Sequence, residues 1–268
     1  MPSSPPVVLA FAASDPTGGA GLQADLLTLA SLGCHPLSVL TGLTAQDTLG
    51  VESLLAIEPD WVASQARRVL ADIPVAAFKL GVLGSARNAQ VIATILTEYP
   101  RPPVVLDPVL ASGRGDALAD TESIQVMRSA LLPRTMVLTP NSIEARRLAG
   151  APPDADLAGC ARELTRLGCR YVLVTGTHEP GAQVVNTLYD ARGEVRTDRW
   201  RRLPASYHGS GCTLASALAA LLAKGLDVEP AVRQAQDYTW QALAAGFRPG
   251  NGQHLPDRFF AAHPQEAK

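Results

Sequence analysis

Short apolar runs rich in β-branched residues alternate with helix-length segments along this chain, and that alternation restricts the fold more than any other feature. The runs are "VVLAFAA" (7–13), "LSVLTGL" (37–43), "AAFKLG" (76–81), "PVVLDPV" (103–109), "MVLTPN" (136–141) and "YVLVTG" (171–176). Between them "AGLQADLLTLASLG", "PDWVASQARRVLAD", "ARNAQVIATILTEY" and "DTESIQVMRSALLP" place apolar residues three and four apart, the period of an amphipathic helix. Strands that are apolar on both faces must be covered on both. The pattern therefore predicts an α/β fold with a central, mostly parallel sheet and helices on both faces. Near residue 184 the rhythm breaks: "VVNTLYDARGEVRTDRW" reads as a small β hairpin turning at Arg192 and Gly193. Two helices are expected after it, over about 209–225 and 228–247. No repeat or linker divides the chain, so its 268 residues are expected to form one domain.

Composition removes several classes of function. Charged residues make up 18% of the chain and the formal net charge is −2. The densest basic stretch, Arg199 to Arg202 around Trp200, is too short for a nucleic-acid footprint. The opening "MPSSPP" does not read as a leader, and no run approaches the roughly 18 apolar residues that span a bilayer. A cytoplasmic protein with no nucleic-acid or membrane partner is expected. Cys34, Cys160, Cys169 and Cys212 form no C-x-x-C pair and are expected to be reduced thiols, three of them packing residues.

Open parallel sheets bind ligands beyond the carboxyl ends of their strands. Here those ends lead into "SDPTGGAG", "TAQDTLG", "GVLGS", "DPVLASGRGD", "TPNSIE" and "TGTHEP". Gly19 to Ala24 matches the G-x-G-x-x-G/A dinucleotide fingerprint, but Ser14 to Gly18 separate it from the strand and no acidic residue follows to bind a ribose. Capping of a helix by Thr17 or a glycine would explain only part of this loop.

A stronger signal is "HGSGCTLASALAALLAKG" (208–225). Leu214, Leu218, Leu221 and Leu222 form a stripe and alanines fill the rest, so the helix should be buried almost all round. It nevertheless begins Gly209-Ser210-Gly211, where free backbone N–H groups and the positive dipole end can receive an anion. Gly and Ser are also ordinary N-cap residues. Cys212 lies in the first turn, where the dipole favours thiolate and a proton acceptor is plausible chemistry. His208 invites a zinc or Cys–His hydrolase reading, but no further ligand sits at metal spacing. Asp107 reads either as a turn residue or as a site carboxylate. Glu144, three residues after Asn141, reads either as the partner in a capping box or as a metal-organising acid. Taken together, these groups are what phosphoryl transfer needs: donors for the moving group, acids for Mg²⁺ and an acceptor for the substrate proton.

"AASDPTGGAGLQADL", "LTAQDTLGV", "FKLGVLG", "DPVLASGRGD", "LLPRTMVLTPNSIEA" and "HGSGCTLASALAA" together resemble the hydroxymethylpyrimidine/phosphomethylpyrimidine kinases of the ribokinase-like superfamily, in order from about residue 7 to 250. The resemblance implies a ribokinase-like kinase of thiamine biosynthesis. Such a kinase uses ATP and Mg²⁺ to phosphorylate 4-amino-5-hydroxymethyl-2-methylpyrimidine and then its monophosphate. It implies that Gln46 bonds the pyrimidine edge, with Ala13, Val82 and Val109 around the ring. Gly209, Ser210 and Gly211 would offer amides to the transferred phosphoryl, and Cys212 would face the hydroxyl. Asn141 and Glu144 would organise phosphates and metal, the metal through water, with Asp107 and Thr175 beside the same phosphates. A homodimer is implied as well. Thr175 stands where relatives commonly carry a lysine, and Arg114 is a possible substitute for that charge in the second phosphorylation. Pyridoxal kinase of the same superfamily and a non-catalytic pyrimidine-binding protein are the rivals. Gln46 argues against the first; the presence of Asp107, Glu144 and Cys212 together argues against the second.

Overall fold

A computed structural model describes residues 4–112 and 115–262. Arg114 lies outside the described residues. The strands form one sheet in the order β3-β2-β1-β4-β5-β6-β7-β8-β9. They are β1 (Val7–Ser14), β2 (His35–Gln46), β3 (Val51–Ala56), β4 (Ala77–Leu80), β5 (Val104–Leu106), β6 (Val137–Leu138), β7 (Tyr171–Thr175), β8 (Gln183–Asp190) and β9 (Gly193–Arg201). From β2 through β7 neighbours run parallel, whereas β3, β8 and β9 join antiparallel at the two edges. The α/β architecture expected from the alternation, a mostly parallel sheet with helices on both faces, is the one observed.

The covering helices are α1 (Gly21–Ser31), α2 (Pro59–Leu70), α3 (Ala86–Glu98), α4 (Thr121–Val126), α5 (Ser142–Ala149), α6 (Leu157–Arg166), α7 (Ser210–Ala223) and α8 (Val228–Ala244). Strand pleating divides the core. Leu9 and Phe11 of β1 pack with α2, α3, α5 and α6, while Val8, Ala10 and Ala12 pack with α1, α7 and α8 on the opposite face. Every residue of α7 from Cys212 to Leu221 is buried, as its composition requires. No helix among the described residues is long and apolar enough to cross a membrane.

Three differences from the sequence reading have local causes. Residues 44–46, expected in a loop, extend β2, and β3 pairs back onto them. "VESLLA" carries no continuous apolar run because it is an edge strand with Leu55 65% exposed. The segment over 120–133 is not one helix: α4 passes into a wider π-type turn and then a short 3-10 turn over Leu132–Arg134. Pro133, which has no N–H for the α-helical ladder, lies in that last turn. The hairpin is as expected, except that Ala191 and Arg192 make the turn and Gly193, at φ +128°, opens β9.

Candidate active site

The parallel strands deliver their carboxyl ends to one cleft of about 670 Å³, and all twelve residues expected to build a site line it. Ala13 and Gln46 come from β1 and β2, Val82 from the loop after β4, and Asp107 and Val109 from the loop after β5. Asn141 and Glu144 follow β6, Thr175 ends β7, and Gly209, Ser210, Gly211 and Cys212 open α7. Thr175 donates its backbone N–H to the Pro140 carbonyl at 2.9 Å, which holds it beside Asn141. The Gln46 side chain is half-buried and makes no hydrogen bond among the described residues, so its amide is free to read a heterocycle edge. Leu110 is buried in the core.

At the mouth of α7 the N-cap is Gly209 in the left-handed region (φ +81°), and no side chain caps the helix. Ser210 is therefore not a cap. Among the described residues the first acceptor bond of this helix is Thr213 N–H to the Gly209 carbonyl at 3.0 Å, which leaves the preceding amides pointed out of the helix start. A Cβ on Gly209 would lie 1.8 Å from the Gly19 carbonyl oxygen, so the turn is pressed directly against the first glycine loop.

That first loop is organised by an aspartate. Asp15 accepts from Thr17 N–H (2.8 Å), the Thr17 hydroxyl (2.9 Å) and Ala20 N–H (2.7 Å). His208 Nε2 approaches the same carboxylate at 2.8 Å. Burial works against the Asp15 charge, but His208 and these hydrogen bonds outweigh it and hold the carboxyl below its usual range. The expected caps of α1 are not the observed one: Ala20 is the N-cap, without side-chain help, and the Thr17 hydroxyl bonds within the loop. His208 thus serves Asp15, and among the described residues no group of three or more potential ligands could hold a metal ion.

Asp107 is buried, and its Oδ2 has no hydrogen-bond partner among the described residues. It is therefore not the turn-capping residue its position also allowed. A Cβ on Gly211 would sit 3.6 Å from that oxygen, so the carboxylate borders the open turn. Burial pushes its pKa up to about 6, against opposing contributions from the Lys79 charge and the Cys212 thiol. Glu144 does form the capping box: Oε2 accepts from Asn141 N–H at 2.9 Å, and the Asn141 side chain accepts from Glu144 N–H at 2.9 Å. Its Oε1 also accepts from Leu110 N–H at 3.3 Å. Burial first, and then the Asp107 charge, push Glu144 up to about 8.

One expectation fails here. Cys212 was expected to be thiolate under the dipole, but burial pushes its thiol up to about 12 despite the Lys79 charge. The desolvation penalty on a buried anion exceeds what one helix terminus contributes. Cys34, Cys160 and Cys169 are also buried, unpaired thiols.

Beneath the turn lies a pair that sequence reading missed. Lys79 of β4 is fully buried, with Nζ 2.7 Å from Asp25 of α1, and Asp25 also accepts from the Ser216 hydroxyl of α7 at 2.8 Å. Burial disfavours the Lys79 charge, yet Asp25, Cys212 and Asp107 together more than reverse that and push its pKa up. The only signal in the sequence was a lysine inside an otherwise apolar strand, "AFKL".

With this geometry in place, comparison with known proteins is decisive. A family model for phosphomethylpyrimidine kinase matches residues 15–257. A hydroxymethylpyrimidine/phosphomethylpyrimidine kinase from Streptomyces coelicolor is 42% identical over 257 residues, covering 94% of this chain and 93% of that one. The chain belongs to the phosphomethylpyrimidine kinase family. As a member it is a phosphotransferase of the ribokinase-like superfamily, and the activity class is phosphorylation of hydroxymethylpyrimidine and its phosphate. Among solved structures, phosphomethylpyrimidine kinase from Clostridium difficile superposes with a TM-score of 0.76 at 32% identity, covering 87% of this chain and 97% of that one. Staphylococcus aureus pyridoxal kinase, solved with AMP-PCP and pyridoxal, superposes with a TM-score of 0.87 at 26% identity, covering 98% and 97%. The scaffold thus carries kinases for two related vitamin alcohols, and side chains in the cleft must separate them.

Proposed function

We propose that the cleft transfers the γ-phosphoryl group of ATP in line to the primary alcohol of 4-amino-5-hydroxymethyl-2-methylpyrimidine, and then to the monophosphate so formed. The observation that carries this reading is the uncapped glycine turn of α7, bordered by the unpartnered Oδ2 of Asp107 and set in one cleft with the free amide of Gln46. The alcohol oxygen bonds to phosphorus as the β,γ-bridging P–O bond breaks, and ADP leaves with that electron pair. Amides of Gly209, Ser210, Gly211 and Cys212 follow the moving group, where the helix terminus stabilises charge without reorganising.

The substrate proton is taken by the Asp107–Cys212 pair and resides on Asp107. A carboxylate near pKa 6 is poised to accept a proton at neutral pH, whereas a thiol near 12 is not. Cys212 then acts as a donor that steers Asp107. Cys212→Ala is accordingly expected to fold, to bind the pyrimidine and to lose about tenfold in kcat, less than the loss from Asp107→Asn. A larger loss from Cys212→Ala than from Asp107→Asn would return the role of base to the thiol.

The donor set fits a divalent cation that arrives with the nucleotide. Glu144 would hold Mg²⁺ through water, as two raised carboxylates facing one cleft are relieved by a nearby dication. When bound, Mg²⁺ supplies charge neutralisation on the phosphates. Asn141 and Thr175 border the same phosphates.

Steady-state rates with ATP and, in parallel, hydroxymethylpyrimidine, its monophosphate and pyridoxal test the assignment. The pyrimidine alcohol is expected to be the preferred unphosphorylated acceptor. The close superposition on pyridoxal kinase supports pyridoxal as the competing acceptor. Equal kcat/KM for the two alcohols would overturn the preference, and no turnover of any acceptor would overturn the function.

A further inference from the structure

Arg258 follows α8 in the carboxyl-terminal segment, one residue beyond the stretch matched by the family model. It is 4% exposed. Its Nε donates to the Thr213 hydroxyl at 3.2 Å, Nη1 to the Gly18 carbonyl at 3.3 Å and Nη2 to the Gly19 carbonyl. All of these acceptors are neutral oxygens. The Thr213 hydroxyl donates in turn to the Gly209 carbonyl at 2.8 Å. One guanidinium therefore spans the first glycine loop and the first turn of α7, the two backbones that a Cβ on Gly209 would drive apart. The segment carrying it is itself tied down: Leu255 pairs with Phe247, His208 donates its N–H to the His254 carbonyl at 2.9 Å, and Tyr238 donates its hydroxyl to the Arg258 carbonyl at 2.8 Å.

A buried arginine bonded only to neutral acceptors is a poor stabilising device, because the desolvation of its charge is not returned by a paired anion. Two consequences of its position are useful for catalysis. Beside the Asp15–His208 contact, the planar fork fixes the separation of the Gly18–Gly19 backbone from the first turn of α7. A full positive charge also stands behind the helix terminus toward which negative charge moves.

We infer that Arg258 is a positioning residue for phosphoryl transfer, clamping the Gly18–Gly19 carbonyls to the first turn of α7 so that the 209–211 amides keep their aim. The inference rests on the reading of that turn as the phosphoryl-receiving site. Its test is steady-state kinetics of the full chain with ATP and hydroxymethylpyrimidine for wild type, Arg258→Gln and Arg258→Lys, with melting temperatures and the binding-competent fraction counted by calorimetric titration of the pyrimidine.

In Arg258→Gln, kcat per binding-competent site is expected to fall about ten- to a hundredfold, while KM for both substrates stays within about threefold. Arg258→Lys keeps the charge but not the fork and is expected to recover part of that loss. A residue that only stabilised the fold would lower the melting temperature and the competent fraction but leave kcat per competent site unchanged, and that result overturns the inference. Should Arg258→Gln fail to fold, Arg258→Lys decides alone: kcat equal to wild type overturns the clamp, and a reduced kcat at unchanged KM supports it. Wild type that turns over normally beside unaffected variants removes only the clamp. Wild type with no turnover removes the functional reading and the clamp with it.

Discussion

Gly209→Ala is expected to abolish measurable phosphoryl transfer and to destabilise the fold by roughly 2–5 kcal/mol. Two costs combine at this position. The residue sits at φ +81°, where any side chain is strained, and its new Cβ would lie 1.8 Å from the Gly19 carbonyl, which is itself held by Arg258. Relief requires the turn and the first loop to separate, and that movement turns the 209–211 amides away from the phosphoryl path. Displacements of about 1 Å at a reacting centre cost on the order of a hundredfold in rate. Gly211→Ala is the internal comparison: its φ is not in the left-handed region, and its Cβ would meet only the Asp107 carboxylate at ordinary contact distance. Gly211→Ala is expected to keep most of the stability and to lose less activity. Melting curves and kcat for both variants make the check, and Gly209→Ala with wild-type kcat would refute the role of the turn.

Asp107→Asn should move activity and stability in opposite directions. Loss of the proton acceptor is expected to lower kcat by about a hundredfold or more. Stability should rise. A carboxyl raised from 3.8 to about 6 on folding is favoured by the fold only while protonated. Its contribution is fully present below pH 3.8 and is lost as pH rises through about 6, which amounts to roughly 3 kcal/mol at neutral pH. An asparagine carries no such penalty, so in metal-free protein at pH 7 the variant is expected to melt several degrees above wild type, with the difference vanishing toward pH 4. The same titration gives the pH–rate profile of wild type an acid limb, displaced below pH 6 while the dication is bound, because the protonated carboxyl cannot accept the substrate proton. A melting temperature below wild type at pH 7, or an acid limb retained by Asp107→Asn, would contradict the assignment.

The molecule also shows which features are legible in a sequence. Parallel strands buried on both faces announce themselves as apolar runs, and β1, β4, β5 and β7 lie where those runs stand. An edge strand such as β3 satisfies only one neighbour and needs no such run, so it was invisible. Of the twelve candidate residues that line the cleft, the 209–212 turn, Asp107, Asn141 and Glu144 were legible where polar residues and glycines interrupt an apolar pattern. Ala13, Gln46, Val82, Val109 and Thr175 came from the family resemblance alone. What supports the site was not legible. The Asp15–His208 contact joins residues 193 positions apart, and Lys79–Asp25 joins residues 54 apart; neither spacing follows from a local period. Nor does a sequence disclose depth, which is why the dipole at Cys212 looked decisive until burial was known. Glu144 had two readings, and the capping box is one that the geometry fulfils.

The most direct measurement is a crystal structure of the chain with a non-transferable ATP analogue, Mg²⁺ and hydroxymethylpyrimidine bound together. The account predicts γ-phosphoryl oxygens about 3 Å from the backbone nitrogens of the 209–212 turn, with the substrate hydroxyl between the phosphorus and Asp107. A γ-phosphoryl group bound away from that turn, or a hydroxyl that faces neither Asp107 nor Cys212, would contradict it.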